Sequence, residues 1–298
     1  MLRLDHVSKT YRVGAFGRGR LTAVRDISFE LQPGEVLSLI GESGSGKSTI
    51  GRMILRLLDP SAGSITCDDA DIRQLRRGAL KEYYRHVQGV FQDPFSSYNP
   101  IFKADRIFSL AHAEFFPQVG ADEWRARVRG ALESVSLNPE DVLHKFPHQL
   151  SGGQLQRLLV ARALLLEIRY LVADEIISML DASTRIDVLN LLADLKAQGL
   201  GILFITHDLS LGNYISDTTI ILRHGCVVEM GATEKVFGDP RHPYTQNLLA
   251  SVPLLHEKWR PDGNRADGAP RPLAEAGAPE LVPVADDHLV AAGAGERG

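Results

Sequence analysis

The chain has 298 residues, with 33 Lys and Arg against 37 Asp and Glu, a formal net charge of −4 and 44% hydrophobic residues. A chain of this size makes one large globular domain or two modest ones. No apolar run approaches the ~18–20 residues that span a bilayer, Cys67 and Cys226 cannot build a disulfide scaffold or a complete metal site, and the acidic balance disfavours nucleic acid as a partner.

The N-terminus, Met1-Leu2-Arg3-Leu4-Asp5-His6, lacks the pattern of a secretory signal, so a cytosolic chain is expected. Short apolar runs then alternate with polar breaks. Ile27-Ser28-Phe29-Glu30-Leu31 has period two and Gln32-Pro33-Gly34 reads as a turn, so small antiparallel strands are expected. Arg12–Arg20 holds three glycines and three arginines without periodicity and reads as an exposed loop. Val36–Ile40 suits a buried parallel strand. Beyond a glycine-rich turn, Ile50, Met53, Ile54, Leu57 and Leu58 mark one helix face, which Asp59-Pro60 should end.

Residues 101–150 are rich in Ala, Leu, Arg and Glu at helical spacing and read as a helical insertion. A helix over Leu155–Leu166, a strand at Tyr170–Ala173, a helix marked by Val188, Leu191, Leu192 and Leu195, and a strand at Ile202–Ile205 follow. Such alternation implies parallel βαβ units. Thr218–Leu222 and Cys226–Met230 flank Arg223-His224-Gly225 as a hairpin. From about residue 256, Ala, Gly and Pro make up nearly half of the chain, and the tail 256–298 reads as disordered.

Gly41-Glu42-Ser43-Gly44-Ser45-Gly46-Lys47-Ser48, followed by Thr49, fits the phosphate-loop pattern G-x-x-x-x-G-K-[ST]. Its glycines let the backbone curl so that successive N–H groups point at phosphate oxygens. The following helix offers its positive end to the anion. Lys47 would place a charge against the β- and γ-phosphates, and Ser48 a hydroxyl on Mg²⁺. Kinase, GTPase and transporter motor all remain open on this motif alone.

The strand Tyr170–Ala173 ends in Asp174-Glu175, where ligand sites gather in parallel sheets. Standing alone, the pair reads as solvated acids. Beside a phosphate loop, Asp174 would hold a metal-bound water and Glu175 would orient and polarise the attacking water. Ile202–Ile205 ends in Thr206-His207-Asp208, which brings His207 within reach of a γ-phosphate if the strands are neighbours.

Leu150-Ser151-Gly152-Gly153-Gln154, then Leu155-Gln156-Arg157, resembles the signature of ABC-type ATPases. That resemblance implies a P-loop NTPase of class α/β, with a RecA-like parallel sheet core, an N-terminal antiparallel β subdomain and an α-helical subdomain inserted at about 93–155. The ATPase domain would cover residues 1–255. It implies ATP and Mg²⁺ as cofactors, with Tyr11 stacking on adenine, residues 41–49 around the phosphates, and Ser48, Gln92 and Asp174 toward the metal. Glu175, His207 and Gln92 would be the catalytic set. Ser151, Gly152, Gly153, Gln154 and Asp181 would touch the ATP held by a second ATPase subunit.

Phe91-Gln92-Asp93-Pro94-Phe95-Ser96-Ser97-Tyr98-Asn99-Pro100 and His242–Pro253 are similar to stretches of the oligopeptide, dipeptide and nickel importer group, relatives of which also import oligosaccharides. This implies permease partners, an extracytoplasmic solute-binding protein and a peripheral place on the cytoplasmic face of the inner membrane, with no nucleic-acid partner. Ile176-Ile177 departs from the family's usual residues after the Asp-Glu pair, and the tail lacks the cysteines of an iron–sulfur site. The alternative is a soluble ABC ATPase of nucleic-acid maintenance or translation. Only 101 residues separate Ser48 from Leu150, with no long heptads and no cysteine pairs, and the chain carries one cassette where translation proteins resemble two. A non-catalytic regulatory subunit would not need the full catalytic set.

Overall fold

The computed structural model describes residues 1–13, 19–251 and 278–292. The chain opens with strands β1 (Leu2–Val13) and β2 (Gly19–Leu31), runs through β3 (Val36–Ile40) and α1 (Lys47–Ile54), and returns in β4 (Ala62–Cys67) and β5 (Ala70–Asp71). These strands, β3 excepted, form an antiparallel sheet in the order β2-β1-β4-β5. Helix α2 (Arg77–His86) leads into β6 (Val87–Val90). Helices α3 (Arg106–Phe115), α4 (Ala121–Ser134) and α5 (Pro139–Val142) lie in the expected insertion, and α6 (Gly152–Leu164) follows it. After them come β7 (Tyr170–Asp174), α7 (Ala182–Ala197), β8 (Gly201–Thr206), α8 (Leu209–Ile215), β9 (Thr218–Arg223) and β10 (Cys226–Ala232). Helices α9 (Thr233–Gly238) and α10 (Pro243–Ala250) and strands β11 (Leu281–Ala285) and β12 (His288–Ala291) complete the described chain.

The second sheet runs β11-β12-β10-β9-β3-β8-β7-β6. From β9 to β6 its strands are parallel, and the β10, β12 and β11 edge is antiparallel. Every residue of β3, β7 and β8 is buried, which explains their unbroken apolar runs. Side chains still alternate between two cores. Tyr170, Val172, Leu203 and Ile205 pack with α1 and the antiparallel sheet, whereas Leu171, Ala173, Ile202 and Phe204 pack with α6, α7 and the insertion. The sheet therefore holds its carboxyl ends rigidly between two layers.

Three expectations need correction. First, α1 ends at Ile54, one turn short of the Leu57–Leu58 periodicity. Arg56 sits at φ +56° with its N–H donating to Met53 O (3.0 Å), and Leu57 N–H donates to Arg52 O (2.9 Å). This is a Schellman stop built on a non-glycine residue, and it leaves Leu57 63% exposed. Second, Arg12 and Val13 pair with Arg20 and Gly19, so strand extends into the expected loop. A ladder uses backbone groups, and an exposed hairpin end tolerates arginine. Residues 14–18 lie outside the described residues. Third, the expected disordered tail contains β11 and β12, which join the main sheet through Glu229↔Val290, Met230↔Leu289 and Gly231↔His288. Val290, Ala291 and His288 are buried, so the fold extends past the expected boundary at 255. Pro283 is accommodated because β11 is the sheet edge. Residues 252–277 and 293–298 of that tail lie outside the described residues.

Candidate active site

The phosphate loop joins β3 to α1 and rests on β2 and the β9–β10 turn. Gly225 N–H donates to Ser45 O (3.0 Å), and Arg25 N–H to Gly225 O (2.8 Å). Gly46 caps α1 at φ +106°, and a Cβ there would lie 2.4 Å from Ala23 O. Gly46→Ala is therefore expected to abolish nucleotide binding while the circular dichroism of the chain stays native, because both the dihedral and the packing forbid the side chain. Binding of a fluorescent ATP analogue checks this, and retained affinity would contradict it.

Lys47 is buried at 4% exposure, and its Nζ donates to Gly41 O (2.7 Å) and Glu42 O (2.9 Å). Burial pushes its pKa below the usual lysine range, while Glu175, Asp174 and Glu42 pull it back up. Ser48 Oγ donates to Asp174 Oδ1 at 3.1 Å. Asp174 ends β7 in the sheet interior, where burial pushes its carboxyl above the usual range against the opposing Ser48 bond. Glu175 follows at φ +52° with its N–H on Ile205 O (2.9 Å), and His207 Nδ1 lies 3.2 Å from Glu175 Oε1. Thus β3, β7 and β8, adjacent in the sheet, bring Lys47, Ser48, Asp174, Glu175 and His207 to one end.

Ser151 caps α6 with its side-chain oxygen accepting from Gln154 N–H (3.2 Å), while Gln154 Oε1 accepts from Ser151 N–H (2.9 Å). This capping box fixes a helix N-terminus with Gly152 and Gly153 in its first turn. Asp181 caps α7, and the Thr184 N–H together with the Ser183 and Thr184 hydroxyls holds its carboxyl down to about 2. Ser151, Gly153, Gln154 and Thr184 line one open depression of about 560 Å³. No hydrogen bond among the described residues joins this group to the Lys47–Asp174–Glu175 group.

Gln92 is exposed just past β6, whose Val90 pairs with Ala173, two positions before Glu175. Tyr11 is half-buried on β1, with the Lys9 ammonium 5.4 Å from its ring centroid. Glu42, Ser43 and Gly44 are exposed on the loop, Ser45 is buried, and Thr49 is half-buried on α1. Ile176 and Ile177 are buried in the helical core, and Ser178 Oγ donates to Glu175 O (2.9 Å) to close the turn toward Asp181.

Several supporting contacts cross between segments. Arg185 Nε donates to Leu180 O (2.8 Å) and braces the turn before α7. Helix α6 ties down the 91–98 stretch twice. Gln156 Nε2 donates to Phe91 O (3.3 Å), and Leu155 O accepts from the Tyr98 hydroxyl (3.0 Å). Half-buried Arg162 reaches Gln88 Oε1 at 2.8 Å. Sequence spacing gives no sign of these, because most of their partners are backbone carbonyls brought near only by the fold.

Residues 24–178 match the sequence profile described as ABC transporter, and residues 228–278 match the oligopeptide/dipeptide transporter C-terminal region. A putative peptide import ATP-binding protein of Brucella ovis is 43% identical over 235 residues, 78% of this chain and 73% of that protein. The glutathione import ATP-binding protein GsiA of Salmonella paratyphi A is 42% identical over 253 residues, 82% of this chain and 39% of that longer protein. Among solved structures, a dimeric post-hydrolysis state of the ATP-binding cassette MJ0796 bound to ADP and Pi superposes with a TM-score of 0.70 at 28% identity. It covers 78% of this chain and 99% of that one. With the phosphate loop, the strand-end carboxylates and the capped signature helix set on this shared fold, the chain belongs to the ABC transporter family.

Proposed function

We propose that the chain is an ATP-hydrolysing subunit of an importer for peptides or similar small solutes, working as a dimer on the cytoplasmic face of the inner membrane. The observation that carries this reading is the cluster at the sheet end: Ser48 on Asp174 at 3.1 Å, Glu175 on His207 at 3.2 Å, and Lys47 buried behind them. The peptide and glutathione import relatives support the cargo class. Among the described residues no helix is long and apolar enough to cross a membrane. The import ATP-binding relatives support assigning the solute path to separate permease subunits.

Each ATP would lie between the phosphate loop of one subunit and the signature of the other. Tyr11 would stack on the base. Lys47 and the loop N–H groups would hold the phosphates. Glu175 would orient and deprotonate the attacking water, with His207 donating to the γ-phosphate and Gln92 completing the water's surroundings. Ser151, Gly152, Gly153, Gln154 and Asp181 would close the site from across the dimer. Mg²⁺ fits the donor set: a hydroxyl and a buried carboxylate, both hard oxygen donors, converge at Ser48 and Asp174. When bound, Mg²⁺ neutralises charge on the β- and γ-phosphates.

Phe95, Ile101, Phe102 and Leu110 are exposed apolar residues between β6 and α4. They would meet the permease, and the bonds from α6 to Phe91 and Tyr98 would couple signature movement to that contact. A solute-binding protein outside the membrane would choose the cargo. The test is reconstitution with the permease in vesicles. ATP hydrolysis should rise with permease and drive uptake of a labelled peptide. Hydrolysis stimulated by nucleic acid and indifferent to permease would reject the importer reading.

A further inference from the structure

Glu229 is fully buried on β10, and its carboxylate gathers three donors from two segments. Oε1 accepts from Arg241 N–H (2.8 Å) and from His288 Nε2 (2.8 Å), and Oε2 accepts from His242 N–H (3.0 Å). A carboxylate removed from water needs such a full set of partners. His288 is 2% exposed and belongs to the C-terminal hairpin. Gly231 admits that hairpin, since a Cβ there would lie 2.1 Å from Asp287 O. The Arg241–His242 backbone, fixed by Glu229, starts α10, where His242 Nδ1 accepts from Tyr244 N–H (3.0 Å). Tyr244 is 8% exposed, and the Arg223 guanidinium stands 4.9 Å from its ring centroid. Its hydroxyl oxygen accepts from Glu42 N–H at 3.3 Å, which places it on the phosphate loop itself.

We infer that Tyr244 is a positioning residue for the nucleotide site and that the C-terminal hairpin sets it through the His288–Glu229 contact. The reading rests on the phosphate loop being the ATP site. Gly41 and Glu42 turn their carbonyls toward Lys47, and the loop N–H groups are the ones a phosphate would engage. A fixed acceptor for Glu42 N–H at the loop's outer edge restricts which way its peptides turn, so the loop loses less freedom when ATP binds.

The experiment compares the full chain with Tyr244→Phe, His288→Ala, His288→Gln and the Tyr244→Phe/His288→Ala double variant. ATP affinity, KM, kcat and Tm are measured on each. Tyr244→Phe keeps the ring under Arg223 and should raise the Kd and KM for ATP about two- to tenfold, the worth of one hydrogen bond, with kcat at saturation little changed. His288→Ala should raise Kd in the same direction, and His288→Gln, which keeps an amide donor toward Glu229, should restore it. In the double variant Kd should be no higher than in Tyr244→Phe alone, since both act on one contact. An additive rise, or a lowered Tm with unchanged Kd, would overturn the coupling. Unaltered Kd in Tyr244→Phe, with the unaltered chain binding ATP, would overturn this inference alone. Failure of the unaltered chain to bind ATP would overturn the site and the inference together.

Discussion

Glu175→Gln should slow ATP hydrolysis by about 10²–10⁴-fold and leave ATP binding intact, the loss expected when a general base is removed. The backbone shows how strongly this position is held. At φ +52° a residue with a Cβ costs on the order of 1–2 kcal/mol. Glu175 N–H on Ile205 O (2.9 Å) holds that conformation from one side. Ser178 N–H and Oγ–H, both on Glu175 O (3.1 and 2.9 Å), hold it from the other. The bend turns the carboxylate, 19% exposed, out of the β7 line toward His207 Nδ1. The pair borders a cavity of about 50 Å³ shared with Ser178, Thr206 and Asp208, enough for a water. Glutamine keeps the shape and an acceptor for His207 but cannot take a proton. ATP-bound dimer should therefore accumulate on size exclusion at millimolar ATP. Turnover within tenfold of the unaltered chain would reject Glu175 as the base.

The candidate site at the sheet's end was legible as a cluster because each of its segments is contiguous in sequence. The phosphate loop, Asp174-Glu175 and Thr206-His207 each sit at the end of an apolar run, and the structure places those runs as β3, β7 and β8 side by side. The signature was legible for a related reason: Ser151 and Gln154 form a capping box, which has fixed spacing. What stayed hidden has contacts across the fold. Glu229 reads as one acid in a strand, yet its partners lie 12, 13 and 59 residues away. Arg185 and Arg162 resemble solvated helix arginines, but both bond inward. The tail misled because composition averages over a window. Two short strands among Ala, Gly and Pro carry little signal, and their burial depends on the open edge of β10. The end of α1 was missed because a left-handed stop usually announces itself with glycine, and here Arg56 takes that place.

Lys47→Ala should weaken ATP binding by about 100-fold or more, the loss of charge-assisted bonds to phosphate oxygens. The ammonium is already stripped of most of its water, at 4% exposure, and is satisfied by Gly41 O and Glu42 O. Its desolvation is met during folding, so exchanging two carbonyls for phosphate oxygens carries little further penalty. Alanine removes more than that attraction. It leaves the two carbonyls without their donor, and it removes the Lys47 charge that acts beside Asp174 and Glu175 as a polyanion arrives. Lys47→Arg should not restore binding. The planar, wider guanidinium cannot turn both toward the loop carbonyls and toward phosphate from the buried start of α1. Lys47→Met, which keeps most of the stem volume, separates packing from charge and should bind as poorly as alanine. Titration with a fluorescent ATP analogue in the presence of Mg²⁺ gives the comparison. A methionine variant that binds within threefold of the unaltered chain would show that the stem, not the charge, sets the affinity.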